Sequence, residues 1–164
     1  MQATDENFYG TTNGLGAAGE GTVFKITPRG KLSTLYSFCS KPACTDGANP
    51  EAGLVQGADG NFYGTTSGTY CYCQGPGCDT VFKITPGGKL TTLHSFGANE
   101  GLPYAGLIQA TDGDLYGTTF YGGYRPMPMT GDCAQYGCGT GFKITAAGKL
   151  TTLHSFKVAH GSNP

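Results

Sequence analysis

The chain has 164 residues and a formal charge of −1, enough for one domain with a real core and without the basic surplus that nucleic-acid binding requires. Only 13% of residues are charged, while 29 are glycine and 12% are aromatic, a balance that suits turn-rich β structure better than helix or disorder. No apolar run reaches the roughly 18 residues of a membrane-spanning helix.

Three phrases each occur three times along the chain. The first copy holds them at 7–12, 23–27 and 32–38, the second at 61–66, 81–85 and 90–96, and the third at 114–119, 141–145 and 150–156. Repetition at this spacing predicts an array of supersecondary units. The second copy reads in full as four strands, a (52–56), b (61–66), c (80–85) and d (90–96), each β-branched, aromatic or aliphatic and bounded by Gly, Pro, Asn or Asp. The first copy begins at the tail of its strand a, Gln2-Ala3, so it is expected to lack that strand.

Asp59-Gly60 and Asp112-Gly113 predict tight a–b turns, whereas Asp5-Glu6 in the first copy predicts a looser one. The c–d turns, such as Pro86-Gly87-Gly88, are equally short, but the b–c connections at 13–22, 67–79 and 120–140 are long, as are the d–a connections. Successive turns of an up-and-down sheet alternate between its ends, so one end is trimmed and the other elaborated. In strand c, Phe82 and Ile84 alternate with Lys83, giving one apolar face and one lysine stem that can lie along a neighbouring surface. The mid-strand glycines Gly10, Gly64 and Gly117 are expected to allow close approach of adjacent sheets.

Antiparallel four-stranded units of this size are the signature of β-propeller blades: an all-β chain of three blades, at 1–51, 52–104 and 105–164, in one continuous repeat domain. Propellers typically close with about four to eight blades, so three are expected to be completed by self-association, most simply by two chains making six blades, or to be part of a longer ring or fibre. Met1 is followed at once by repeat sequence with no signal peptide, and His160 to Pro164 stops where another blade would start, so the chain reads as a piece of a longer repeat protein.

All seven cysteines fall at the elaborated end. The C-x4-C pairs Cys39/Cys44, Cys73/Cys78 and Cys133/Cys138 read as local disulfides and point to an oxidising, extracellular or cell-envelope location; Cys71 is left unpaired, as a free thiol, a competitor for Cys73 in pairing with Cys78, or an intermolecular bridge. Zinc on Cys71, Cys73, Cys78 and His94 is the competing interpretation, disfavoured because the C-x2-C spacing is missing and the other copies do not reproduce the set. No metal and no cofactor are therefore expected.

Asp5, Asp59 and Asp112 recur, and a carboxylate pair is what a glycosidase needs, but their place in a turn favours bonds to local backbone. His94 and His154 stand where the first copy has Tyr36, which suits an amphipathic edge residue better than a general base. Thr11/Thr12, Thr65/Thr66 and Thr118/Thr119 are ordinary strand residues. No nucleophile elbow or phosphate loop is present.

The candidate binding residues are Tyr70, Tyr72, Tyr121, Tyr124, Arg125, Asp132 and Tyr136, with Phe120 beside them, all in long loops. Amphipathic rings on a stiffened face suit a sugar or peptide. Equally, the long loops need internal packing that such rings provide.

The run Gly106 to Thr119, followed by Phe-Lys-Ile-Thr and Leu-Thr-Thr-Leu-His-Ser-Phe, resembles the GloVer-type tandem repeat of choice-of-anchor bacterial proteins. The likeness covers nearly the whole chain, including Asp46 to Pro50. It implies an exported bacterial protein held at the envelope by a separate anchor, with no catalytic residues to carry over. The function expected is a secreted or surface propeller module with a structural or adhesive, self-assembling role. The alternatives are a carbohydrate-binding module using the Tyr-rich loop face and, third, an extracellular glycoside hydrolase or lyase. The partners expected are other copies of the chain and glycans.

Overall fold

A computed structural model describes residues 1–68, 77–97, 100–125 and 132–157, and in it the three copies fold as three antiparallel sheets. The first sheet is β1 (Phe8–Thr12), β2 (Thr22–Ile26) and β3 (Leu32–Ser37). The second is β4 (Val55–Gln56), β5 (Phe62–Thr66), β6 (Thr80–Ile84) and β7 (Leu90–Ser95). The third is β8 (Ile108–Gln109), β9 (Leu115–Thr119), β10 (Thr140–Ile144) and β11 (Leu150–Ser155). Each is an up-and-down blade in sequence order, and the first has three strands with only a Gln2–Phe8 bridge at the fourth position.

Register repeats from blade to blade. Gly10, Gly64 and Gly117 face Phe24, Phe82 and Phe142, and every c–d pair shifts register just before that phenylalanine. The blades pack face to face through two apolar clusters. Tyr9, Val23 and Phe38 of the first blade meet Phe62, Phe82 and Ile84 of the second; Tyr63, Val81 and Phe96 of the second then meet Leu115, Phe142 and Ile144 of the third. Tyr9 stacks on Phe62 at 4.0 Å, and Phe38 meets Phe82 edge-on at 5.1 Å, as Phe96 meets Phe142 at 5.6 Å. A buried ring of this kind stabilises by about 1.5–3 kcal/mol, so each interface is a genuine core.

Three sequence expectations are corrected. Strand a is shorter than 52–56, because Ala52 leaves its own sheet: its carbonyl accepts a hydrogen bond from Thr11 Oγ1 of the preceding blade at 3.0 Å, as that of Ala105 does from Thr65 at 3.1 Å. The mid-strand glycines do not serve approach between sheets. A Cβ on Gly64 would lie 2.6 Å from Cζ of Phe82, the ring that folds over it from the paired strand of its own blade.

The Asp5-Glu6 turn is not looser than its counterparts. Glu6 takes the left-handed conformation (φ 64°) that Gly60 and Gly113 take (φ 77° and 83°), and Glu6 N–H donates to Ala3 O at 3.0 Å as Gly60 N–H donates to Gly57 O at 2.9 Å. The turn is held instead by a side-chain knot common to all copies. Tyr9, Tyr63 and Tyr116 each donate a hydroxyl to Asp5, Asp59 and Asp112 at 2.8 Å, and backbone N–H groups of Asn7, Asn61 and Asp114 bind the same carboxylates.

Candidate functional site

The tight-turn end carries those knots and a shallow cleft of ≈ 400 Å³ among Thr4, Gln56, Gly57, Ala58, Gly60 and Gln109, while the candidate binding residues lie at the loop end. There the 3₁₀ turn Pro42–Cys44 is closed by a disulfide between Cys39 and Cys44. It wraps the fully buried carboxylate of Asp46, which accepts from Tyr36 OH at 2.7 Å, Ser40 Oγ at 2.8 Å, and the N–H groups of Ser40 and Lys41 at 2.9 and 3.2 Å. Burial alone would raise the pKa of Asp46, but the Tyr36 and Ser40 bonds outweigh it and hold the carboxyl below its usual range. With its lone pairs taken, Asp46 is a structural anion. Sequence reasoning placed it only within Asp46 to Pro50, a stretch covered by the family resemblance; the Ser40 and Tyr36 hydroxyls around it are not a linear signal.

The anchored loop reaches the next blade. Ala48 N–H donates to Cys78 O at 3.2 Å, and Cys44, Ala48 and Cys78 share a small buried cluster. Cys78 is disulfide-bonded. The expected partner Cys73, the odd Cys71, and the candidates Tyr70 and Tyr72 lie outside the described residues. In the neighbouring stretch Asp79 accepts from Gly68 N–H at 2.8 Å, and burial raises its pKa against that bond.

In the third long connection, Cys133 and Cys138 are disulfide-bonded across the short helix α1 (Asp132–Tyr136), which ends at Gly137 in the left-handed conformation (φ 87°) that closes helices. Tyr136 O accepts from Gly122 N–H at 2.7 Å, so the helix is docked onto the strand exit. This docking brings Tyr121 and Tyr136 together, their rings 5.0 Å apart, at the end of a chain of contacts through Phe120 and Tyr104 at 4.8 and 5.6 Å. Tyr124 stands apart, 44% exposed, with Lys157 Nζ 4.9 Å from its ring centre, and Arg125 beside it is exposed. Asp132 opens α1. Of the candidates, Tyr121 and Tyr136 therefore come together, Tyr124 meets Lys157, and Arg125 is exposed next in the chain; Tyr104 and Lys157 had no repeat or motif to mark them.

Between the second and third blades, a cleft of ≈ 280 Å³ opens among Phe96, Glu100, Thr140, Phe142, Thr152 and Ser155. Glu100 occupies the place that Asp46 has one interface earlier, binding Gly97 N–H at 2.8 Å and facing His94 Nε2 at 3.3 Å. His94 also packs edge-on against Phe96 at 4.9 Å. Among the described residues, no group of three or more His, Cys, Asp or Glu side chains could hold a metal ion.

The Gloeobacter/Verrucomicrobia repeat matches residues 1–164. No curated protein matches the chain. Among solved structures, it is similar to one described as a candidate gluconolactonase, with 16% identity and a TM-score of 0.48 over 83% of this chain and 42% of that one. The chain thus spans less than half the length of that structure.

Proposed function

The chain belongs to the Gloeobacter/Verrucomicrobia repeat family, and from that premise we propose that it is a secreted or cell-surface propeller module with a structural or adhesive role, which assembles with other copies of itself. One observation carries this reading: Phe8 is 43% exposed, whereas its counterparts Phe62 and Leu115 are fully buried against a preceding blade. A face built to be covered is open. The disulfides at Cys39–Cys44 and Cys133–Cys138 support an oxidising environment. The recurring carboxylates Asp5, Asp59 and Asp112 are engaged in turn knots, which favours a scaffold over a hydrolase or lyase.

Association stabilises the folded state by mass action. The melting temperature of the oxidised chain is therefore expected to rise as its concentration is raised a hundredfold. A melting temperature independent of concentration contradicts self-association.

A second reading, carbohydrate binding, is favoured by the exposure of Tyr124 and Tyr136, at 44% and 43%, on the disulfide-stiffened end. An amphipathic ring beside a cation presents apolar area and hydrogen-bonding groups together, as sugars require. On a glycan array, binding that Tyr124→Ala and Tyr136→Ala abolish supports it; absent binding, or binding unchanged by both substitutions, removes it.

A further inference from the structure

Among the described residues, the two exposed end faces are the two halves of one interface that the chain already makes twice. Four contacts define it. Gln56 Oε1 accepts from Thr4 N–H of the preceding blade at 3.0 Å, and Gln109 Oε1 accepts from Ala58 N–H at 2.8 Å. The ring of Tyr9 stacks on Phe62, and Tyr63 shares a buried cluster with Leu115. Phe38 meets Phe82 edge-on, as Phe96 meets Phe142. The c–d turns at Gly88 and Gly148 lie so close to the strand-d carbonyls of Leu35 and Leu93 that a Cβ would stand 2.6 and 2.5 Å from them.

Continued by one blade, each contact has both its partners in this chain, on opposite ends. Gln2 holds the place of Gln56 and Thr111 that of Thr4; Phe8 stands for Phe62 and Tyr116 for Tyr9; Phe24 stands for Phe82 and Phe156 for Phe38. A Cβ on Gly30 meets nothing within 4 Å, and Leu153, whose carbonyl would receive that turn, is 56% exposed where Leu35 and Leu93 are partly buried. Leu32 and Ile108 repeat the pattern, at 61% and 65% exposure, where Leu90 and Val55 are packed against an interface.

The geometry points to head-to-tail association, in which the third blade of one copy covers the first blade of the next in the register of the internal blade contacts. This deepens the self-assembly reading and rests on it. The occupant of each face is a second copy of this chain, because each face lacks the other and both are present in it. The contact is heterologous, so repetition closes a ring or extends a filament; a symmetric dimer pairing like faces is excluded by the register.

The test uses Phe8→Glu, which blocks the front face, and Leu153→Glu, which blocks the back, with masses measured on oxidised chains. Both side chains are exposed within one chain, so each variant keeps the wild-type circular dichroism. Wild type is expected to assemble, each variant alone to stay a single chain, and an equimolar mixture to form one-to-one pairs and nothing larger. Leu32→Glu and Ile108→Glu are expected to repeat the result. Assembly of either variant by itself, or a mixture that stays monomeric while wild type assembles, overturns the head-to-tail register and leaves self-assembly standing. Monomeric wild type overturns both.

Discussion

At the scale of single residues, the a–b turns concentrate strain and charge in a few positions. Glu6 holds a left-handed conformation that costs an L-residue with a Cβ about 1–2 kcal/mol, and its counterparts Gly60 and Gly113 avoid that cost. Glu6→Gly is therefore expected to stabilise the chain by about 0.5–1 kcal/mol after the extra freedom of glycine in the unfolded state is subtracted, as read by urea unfolding. The tyrosine knots make stability depend on pH from both sides. At Asp5 burial opposes ionisation, but bonds from Asn7, Tyr9 and Lys25 prevail and bring the pKa from 3.8 down to about 2. A depressed carboxyl pKa gives stability that is present above the unfolded value and lost as pH falls through the folded one, here between about pH 4 and pH 2.

Tyr63 works in the opposite direction. Burial first, then the bond to Asp59, lift it from 10.0 to about 12, so its contribution is full below pH 10 and lost as the pH rises toward 12. Tyr63→Phe is expected to cost about 1–2 kcal/mol at neutral pH and to flatten the alkaline limb of the stability profile. An unchanged alkaline limb would show that the hydroxyl bond is not what ties the turn.

At the scale of elements, each blade is organised by a glycine and the phenylalanine that covers it. In Gly64→Val the new Cβ would meet Phe82 at 2.6 Å and Leu54 at 2.9 Å, so overpacking is expected to cost about 1–3 kcal/mol, measured as a fall in the unfolding midpoint with unchanged slope. The disulfide loops act more locally. Opening the five-residue separation of Cys39 and Cys44 removes roughly 2 kcal/mol of chain-entropy stabilisation. A Cys39→Ser, Cys44→Ser double variant is expected to keep its β-sheet circular dichroism while the amides of Ser40 and Lys41 lose protection from hydrogen exchange.

The repeated phrases made strands b, c and d legible in the sequence, because period-two alternation and turn residues are local signals; the role of the mid-strand glycines was misjudged, because the phenylalanine that covers each one comes from the paired strand. Strand a was overestimated because what shortens it is a bond from Thr11 of another blade, forty-one residues away. The Glu6 turn was misjudged because the Tyr9–Asp5 bond, not the glycine, fixes its shape. In the loops, the aromatic candidates could be named but not grouped. Pairing Tyr121 with Tyr136 depends on the docking of α1, and Tyr124 with Lys157 on the path of two separate segments.

At the scale of the whole molecule, across the described residues, the three blades form two complete interfaces and two half-interfaces whose apolar side chains are exposed. One feature distinguishes the back of the third blade: Gly141 replaces the valine that Val23 and Val81 bury in the other two. A Cβ there would meet nothing within 4 Å. Gly141→Val is expected to restore the missing apolar contact and tighten association by about 1.5 kcal/mol, roughly tenfold in dissociation constant, as followed by sedimentation.

Native mass spectrometry of the oxidised wild-type chain at micromolar concentration tests most directly whether further copies cover the exposed end faces. Masses at whole-number multiples of 16.9 kDa, from two chains upward, are the predicted result. A single species at 16.9 kDa across the concentration range, with Phe8 still exposed, would contradict it.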